Sequence, residues 1–168
     1  TQAITACGAA NALNCKKTVN LGSATIRGFE AWGRWQVVSG QWLTSGLSAL
    51  RGDNDDLDEP LYQMPADEMT FGWIGNVLPG VKADFTLRLV DRQDRVATVF
   101  TKGAENATAG VATADLGATW QIDRRNSIRV ALRNIADKAY HEHLTEGVSG
   151  QEIRAPGRSL QLVWRGSF

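Results

Sequence analysis

The chain closes on Ser159-Leu-Gln-Leu-Val-Trp-Arg-Gly-Ser-Phe168, and the alternation in this stretch decides the class of fold. In an extended chain Leu160, Leu162, Trp164, Gly166 and Phe168 share one face. Ser159, Gln161, Val163, Arg165 and Ser167 share the other. One face is apolar and ends in aromatics, while the other can meet water. A half-buried strand of a soluble sandwich carries the same signature, so recurrence must separate the two.

The signature recurs. Ala83, Phe85, Leu87 and Leu89 alternate with Lys82, Asp84, Thr86 and Arg88. Ala114, Leu116, Ala118 and Trp120 alternate with Thr113, Asp115, Thr119 and Gln121. Ile128, Val130 and Leu132 alternate with Arg129 and Arg133, and Met69, Phe71, Trp73 and Val77 oppose Thr70, Gly72 and Asn76. Phe29, Ala31, Trp35 and Val37 oppose Glu30, Arg34 and Gln36, and the 41–51 run sets Leu43, Leu47 and Ala49 on one side. The reading is all-β, with seven strands, and the whole of residues 1–168 belongs to one unit.

Connection lengths alternate as strictly as the side chains. Val38-Ser39-Gly40, Val77-Leu78-Pro79-Gly80 and Asp123–Asn126 are short, whereas 51–68, 91–112 and 136–157 are long. Short turns at one end and long loops at the other describe an antiparallel up-and-down transmembrane β-barrel. No run approaches the roughly 18 apolar residues of a membrane-spanning helix, but a transmembrane strand needs only about 9–11, half of them polar. Trp35, Trp42, Trp120 and Trp164 near strand ends predict an aromatic girdle. Lys82, Asp84, Arg88, Arg129, Arg133 and Arg165 predict a charged inner face. Seven strands cannot close such a barrel, and an open edge in lipid leaves backbone groups unpaired, so the sequence reads as part of a longer protein. Thr1-Gln2-Ala3 opens without a charged and apolar leader, which places an export signal upstream.

Lys and Arg together number 18, as do Asp and Glu, so nothing points to nucleic acid as a partner. Cys7 and Cys15 are read as a loop disulfide, which a compartment outside the cytoplasm permits; metal binding or redox chemistry is the other reading. Enzymatic templates fail: there is no Gly-x-Ser-x-Gly, no glycine-rich phosphate loop and no His-Glu-x-x-His. Ser149, His143 and Glu146 form a conceivable trio without supporting spacing, so no enzyme is expected.

Four segments resemble the TonB-dependent receptors: Asn20-Leu-Gly-Ser-Ala-Thr-Ile-Arg-Gly-Phe-Glu30, Pro60-Leu-Tyr-Gln-Met-Pro65, Asn134-Ile-Ala-Asp-Lys-Ala-Tyr140 and Ala155-Pro-Gly-Arg-Ser159. They stand in order along most of the chain. The resemblance implies that these are the last seven or so strands of a plugged barrel of about 22. It implies a Gram-negative outer-membrane location, with long loops outside the cell and the C-terminus in the periplasm. The partners it implies are outer-membrane lipid, TonB through the missing N-terminal part, and the barrel-assembly machinery at the aromatic C-terminus. Arg92-Gln-Asp-Arg-Val96 and Tyr140-His-Glu-His-Leu144, with Gln63-Met64-Pro65, look most like the copper and zinc branch. The expected function is energy-coupled uptake of a metal ion or metal chelate; siderophore, haem and cobalamin receptors share the longer segments. A non-transporting barrel, enzyme or passive pore, and a soluble β-sandwich are the readings from other classes.

His141 and His143 sit at i and i+2, so in an extended segment both imidazoles point to one side and can reach one metal. Met64 is the third candidate, as a soft ligand for Cu(I). Asp53, Asp55, Asp56, Asp58 and Glu59 concentrate carboxylates in one loop. They offer oxygen ligands to a hard cation such as Ca²⁺ but lack the spacing of the twelve-residue calcium loop, so a solvated acidic tip is the default. No tightly bound cofactor is expected; a metal or chelate would be cargo.

Overall fold

A computed structural model describes residues 20–101, 103–146 and 152–167. Phe168, Cys7, Cys15 and Ser149 lie outside the described residues. The strands are β1 (Ala24–Val38), β2 (Gln41–Asn54), β3 (Glu59–Pro60), β4 (Glu68–Leu78), β5 (Val81–Val90), β6 (Val111–Gln121), β7 (Asn126–Arg133), β8 (His141–Glu146), β9 (Glu152–Arg154) and β10 (Ser159–Gly166). One antiparallel sheet runs β1-β2-β4-β5-β6-β7-β10, so each long strand pairs with the next in the chain. These seven are the strands expected from the alternation. Two-residue β3 joins β2, and β8 pairs only with β9; both lie in long loops, too short to show a period of two.

The register turns seven separate alternations into one surface. A single cross-strand row runs Trp35, Leu43, Trp73, Phe85, Leu116, Leu132 and Leu160, apolar on every strand. Because the side-chain period is two, a slip of one residue in any pair would break that row. Trp35, Trp120 and Trp164 lie on this face toward the short-turn end, as a girdle requires. Trp42 does not: it pairs with Gln36 on the opposite face, and the Arg34 guanidinium carbon stands 4.1 Å from its ring centroid. Its membership of the girdle is therefore corrected; the exposed Arg34 cation over the ring gives it a partner on the polar side.

Two of the tight turns repeat one device. Gly40 and Gly80 take φ of +75° and +73°, a conformation that strains residues with a Cβ. Their carbonyls accept from Asn76 and Gln121 on the next strand, at 3.0 and 2.8 Å. The register jumps between Gln36 and Val38 and between Asn76 and Leu78, a bulge beside each turn. Each jump sets a second consecutive apolar residue, Val38 or Leu78, on the apolar rows. The third short turn is tied by Asp123, whose Oδ1 accepts from the backbone N–H groups of Arg125 and Asn126 at 2.7 and 2.9 Å.

On the other face Asp84 of β5 and Arg129 of β7 meet across β6, Nη1–Oδ1 at 2.6 Å and Nη2–Oδ2 at 2.9 Å. Gly117, between them on β6, leaves the room: a Cβ there would stand 2.5 Å from Arg129 Nη2 and 2.6 Å from Asp84 Oδ2. Gly117→Ala is expected to prise the pair apart and cost about 1 kcal/mol, a modest figure because both side chains are partly solvated and can shift. The unfolding midpoint of the full-length receptor against that of the variant measures it.

What the sheet lacks is a second layer. Among the described residues only Met64, Ala97 and Ala131 are buried apolar residues, and no large side chain is fully buried. Leu160 and Leu162 are each 72% exposed and Trp164 is 60% exposed. A soluble sandwich would bury one face of its sheet against another. Here the apolar face stands open across all seven strands, far beyond the patch a soluble monomer tolerates. No helix among the described residues is long and apolar enough to cross a membrane, which says nothing of strands that cross one. The sheet is not closed: β1 and β10 each keep one unpaired edge.

Candidate functional site

At the long-loop end, three connections (55–67, 91–110 and 134–158) lock together through buried polar side chains. Glu59 is the first lock. Its carboxyl accepts from the backbone N–H groups of Thr98, Val99 and Phe100, at 2.6, 2.7 and 2.7 Å. Burial pushes the Glu59 carboxyl up, but the N–H groups of Val99, Phe100 and Thr98 outweigh it and hold it below the usual carboxylate range. A depressed folded value means this contribution to stability is present above the ordinary carboxylate range and is lost as pH falls through the folded one. Tyr62 packs on Phe100 at the same junction, ring centroids 6.0 Å apart.

Gln93 is the second lock, 5% exposed. Its Nε2 donates to the carbonyls of Met64 and Pro65, both at 3.0 Å, and its Oε1 accepts from Arg95 N. Its backbone forms a two-way bridge with Thr108. Glu105 is the third. Oε1 accepts from Gln63 N at 2.7 Å and contacts His143 Nε2 at 3.2 Å, while Oε2 accepts from Ala97 N at 2.5 Å. The segments Pro60–Pro65 and Arg92–Val96, read separately in the sequence, thus bind each other. Composition marks Glu59 only as one carboxylate of the acidic run and Gln93 only as part of the Arg92–Val96 segment, and Glu105 goes unmarked, because a buried acid or amide in a long loop has no periodicity to betray it.

A clasp shuts the base of the last loop. Asn134, 5% exposed and at φ +48°, donates from its backbone N to Asp115 Oδ1 at 2.8 Å. Its amide Oδ1 accepts from Lys138 N, and its Nδ2 donates to the carbonyls of Lys138 and Pro156. Asp137 Oδ1 accepts from Arg158 N at 2.7 Å. The Asn134–Tyr140 and Ala155–Ser159 segments are therefore two halves of one structure that delivers the chain into β10.

Within this frame the candidate ligands separate. His141 and His143, on β8, line a cavity of about 140 Å³ with Glu68, Arg88, Thr108 and Glu142. Arg88 holds it from the polar face, Nη1 to Glu142 Oε1 at 2.6 Å and Nη2 to Glu68 Oε2 at 2.7 Å. His143 contacts Glu105 through Nε2 and Thr108 Oγ1 through Nδ1, each at 3.2 Å. A ring protonated on Nε2 meets both: it donates to the carboxyl and accepts from the hydroxyl. Beside it lies a second cavity of about 470 Å³, walled by 107–112 and 138–141, a volume that fits small organic ligands. Met64 is buried with its sulfur against Gly52, where a Cβ would sit 2.7 Å away, and it does not line the histidine cavity. Among the described residues no three His, Cys, Asp or Glu side chains gather to hold a metal.

The acidic loop is spent on structure rather than gathered at one point. Asp53 pairs with Arg95 at 2.5 Å. Asp55 accepts from the hydroxyls of Ser23 and Thr25, and Asp56 from the backbone of Gly22 and Ser23. Asp58 adopts φ +51° in the turn, and Glu59 is the lock already described. Asp55, Asp56 and Asp58 stay exposed at the tip, while Asp53 and Glu59 at its two ends tie the loop to its neighbours.

No curated protein matches the sequence. Among solved structures the chain is similar to the copper transporter OprC, at TM-score 0.77 and 24% identity, covering 86% of this chain and 23% of that one. It is similar to the ferric enterobactin receptor PfeA of Pseudomonas aeruginosa, at 0.69 and 18% over 89% of this chain and 23% of that one. The siderophore receptor PiuA of Acinetobacter baumannii follows at 0.64 and 16%, over 85% and 22%. The chain spans less than a quarter of the length of these proteins. Residues 2–135 match the family described as TonB dependent receptor-like, beta-barrel, which covers the first six strands of the main sheet. Together with the open, one-layered sheet, that match assigns this chain to the TonB-dependent receptor β-barrel family.

Proposed function

We propose that the chain is the C-terminal wall of an energy-coupled outer-membrane receptor that takes up a metal ion or metal chelate. The observation that carries the membrane part is the single apolar row from Trp35 to Leu160, which runs across seven strands with no layer to cover it among the described residues. In this reading the apolar face meets lipid and the Asp84–Arg129 face looks into the barrel. The long loops stand outside the cell, and energy arrives from TonB through parts beyond these residues. Fractionation of cells expressing the full-length receptor tests it: the protein is expected in the outer membrane, with the heat-dependent gel shift of a folded barrel. Recovery as a soluble protein would end the reading.

Copper or zinc as cargo is supported by His141 and His143 on one cavity wall. Calorimetry on the full-length receptor with Cu(II) and Zn(II) is expected to show at least about a tenfold loss of affinity when both become alanine. Unchanged affinity would dispose of the histidines as ligands. A metal chelate is the second reading, favoured by a specific observation: both His143 nitrogens are engaged and Met64 is packed on Gly52, while the larger cavity suits an organic shell.

A further inference from the structure

The two cavities at the mouth share a wall. The smaller, of about 140 Å³, and the larger, of about 470 Å³, are both lined by Thr108, Ala109 and His141. The smaller has a charged lining of Glu68 and Glu142 against Arg88, with Glu105 behind His143, and that excess of carboxylate favours a cation. It has room for a metal ion with a few waters. The larger is walled mostly by small residues, among them Ala107, Gly110, Ala112 and Ala139, with Tyr140 beside them. Small walls leave space for a flat organic group, and the volume falls within the range of small-molecule sites.

The setting of β8 decides which histidine stands between the two. In an extended strand Glu142 points away from its neighbours His141 and His143. Arg88 forks it, Nη1–Oε1 at 2.6 Å and Nη2–Oε2 at 3.1 Å, which pins β8 to the wall at β5. Glu105 and Thr108 hold the His143 ring, and His143 lines the smaller cavity but not the larger. His141 lines both. We propose that His141 is the protein's ligand to a metal that arrives already held by a small chelator, the metal in the smaller cavity and the chelator in the larger. The imidazole nitrogen forms the new bond to the metal, and a water leaves the metal in exchange. The cargo class is a coordinatively unsaturated metal complex, neither a bare ion nor a metal fully enclosed by its chelator. Imidazole suits Cu(II) and Zn(II) in such mixed coordination. Because Arg88 pins the strand before cargo arrives, little ordering cost falls on binding.

His141 has this role only if the cargo is the metal or metal chelate already proposed, and the experiment separates the two claims. Full-length receptor is titrated with Cu(II) alone, with Cu(II) carrying a single bipyridine, and with Cu(II) enclosed by EDTA. Wild type is expected to bind the bipyridine complex at least about tenfold more tightly than the enclosed one. By pulsed electron paramagnetic resonance the bound complex should show the remote-nitrogen modulation of a metal-bound imidazole, which bipyridine cannot give. His141→Ala should abolish that modulation and lower the affinity about tenfold or more. Ala107→Trp, which narrows the larger cavity, should weaken the bipyridine complex about tenfold and leave Cu(II) alone unchanged. Modulation that survives His141→Ala, or a bipyridine complex indifferent to Ala107→Trp, in protein that shows the folded gel shift would overturn the proposal. Wild type that binds Cu(II) but not the bipyridine complex would overturn it too. Wild type that binds none of the three would instead overturn the metal cargo on which it depends.

Discussion

Replacing Asn134 with alanine is expected to destabilise the assembled receptor by about 3 kcal/mol, the sum of a strained backbone and lost partners in a buried site. Asn134 sits at φ +48°, a region that asparagine enters far more readily than alanine. Its side chain satisfies Lys138 N, Lys138 O and Pro156 O, none of which alanine can reach. Asn134→Gly separates the two causes, since glycine accepts the backbone and loses only the hydrogen bonds; it should recover about 1 kcal/mol. Because β10 is entered through Pro156 and Arg158, the loss should show as a weaker final strand. The readout is the denaturant at which the folded gel form of the full-length receptor disappears. Equal midpoints for Asn134→Ala and wild type would mean that the clasp does not hold the strand.

The main sheet is legible in the sequence because membrane strands carry their environment on their side chains. Trp73 and Phe85 alternate with polar neighbours for the same reason that they end in one row: one side meets an apolar medium and the other does not. Register could be inferred only up to the turns, where Gly40 and Gly80 and the bulges beside them add a residue that alternation alone cannot count. Trp42 shows the limit. A tryptophan near a strand end satisfies a girdle by position, and only pairing with Gln36 reveals that it lies on the other face under Arg34.

The loops carry only motifs and composition in sequence, whereas their logic is contact at long range. The pairing of Pro60–Pro65 with Arg92–Val96 runs through Gln93 and the Met64 and Pro65 carbonyls, some thirty residues apart along the chain. The acidic run from Asp53 to Glu59 looks like one feature in sequence and is several in space. Asp53 turns to Arg95, Asp55 and Asp56 to the 22–25 segment and Glu59 to the 98–100 backbone, so the run is divided among separate partners. The i, i+2 spacing of His141 and His143 did place both on one cavity, because β8 is extended. It could not show that Glu105 and Thr108 already hold one of the rings.

That contact leads to the second large effect. Glu105→Ala is expected to uncouple three loops at once, because a single buried carboxyl, on a side chain 2% exposed, serves all of them. The substitution strands Gln63 N–H and Ala97 N–H without an acceptor and leaves His143 with Thr108 alone. Orphaned buried donors cost about 1–3 kcal/mol each, so about 4 kcal/mol of loop docking is at stake. The barrel strands need not unfold, since no strand pair of the main sheet depends on Glu105; the loss is local and belongs to the weak end of the stability range. Amide exchange at Gln63 and Ala97 should accelerate about a hundredfold or more in the full-length receptor, while amides in β4 and β5 keep their protection. Glu105→Gln should fall between, because glutamine retains one acceptor oxygen but turns an NH₂ group toward the second donor. If all three proteins exchange alike at Gln63 and Ala97, the loops are held by Glu59 and Gln93, and Glu105 is not their hub. If they do not, any metal or chelate that draws His143 off Glu105 must work against the same contact that orders the mouth, and cargo binding and loop order become one equilibrium.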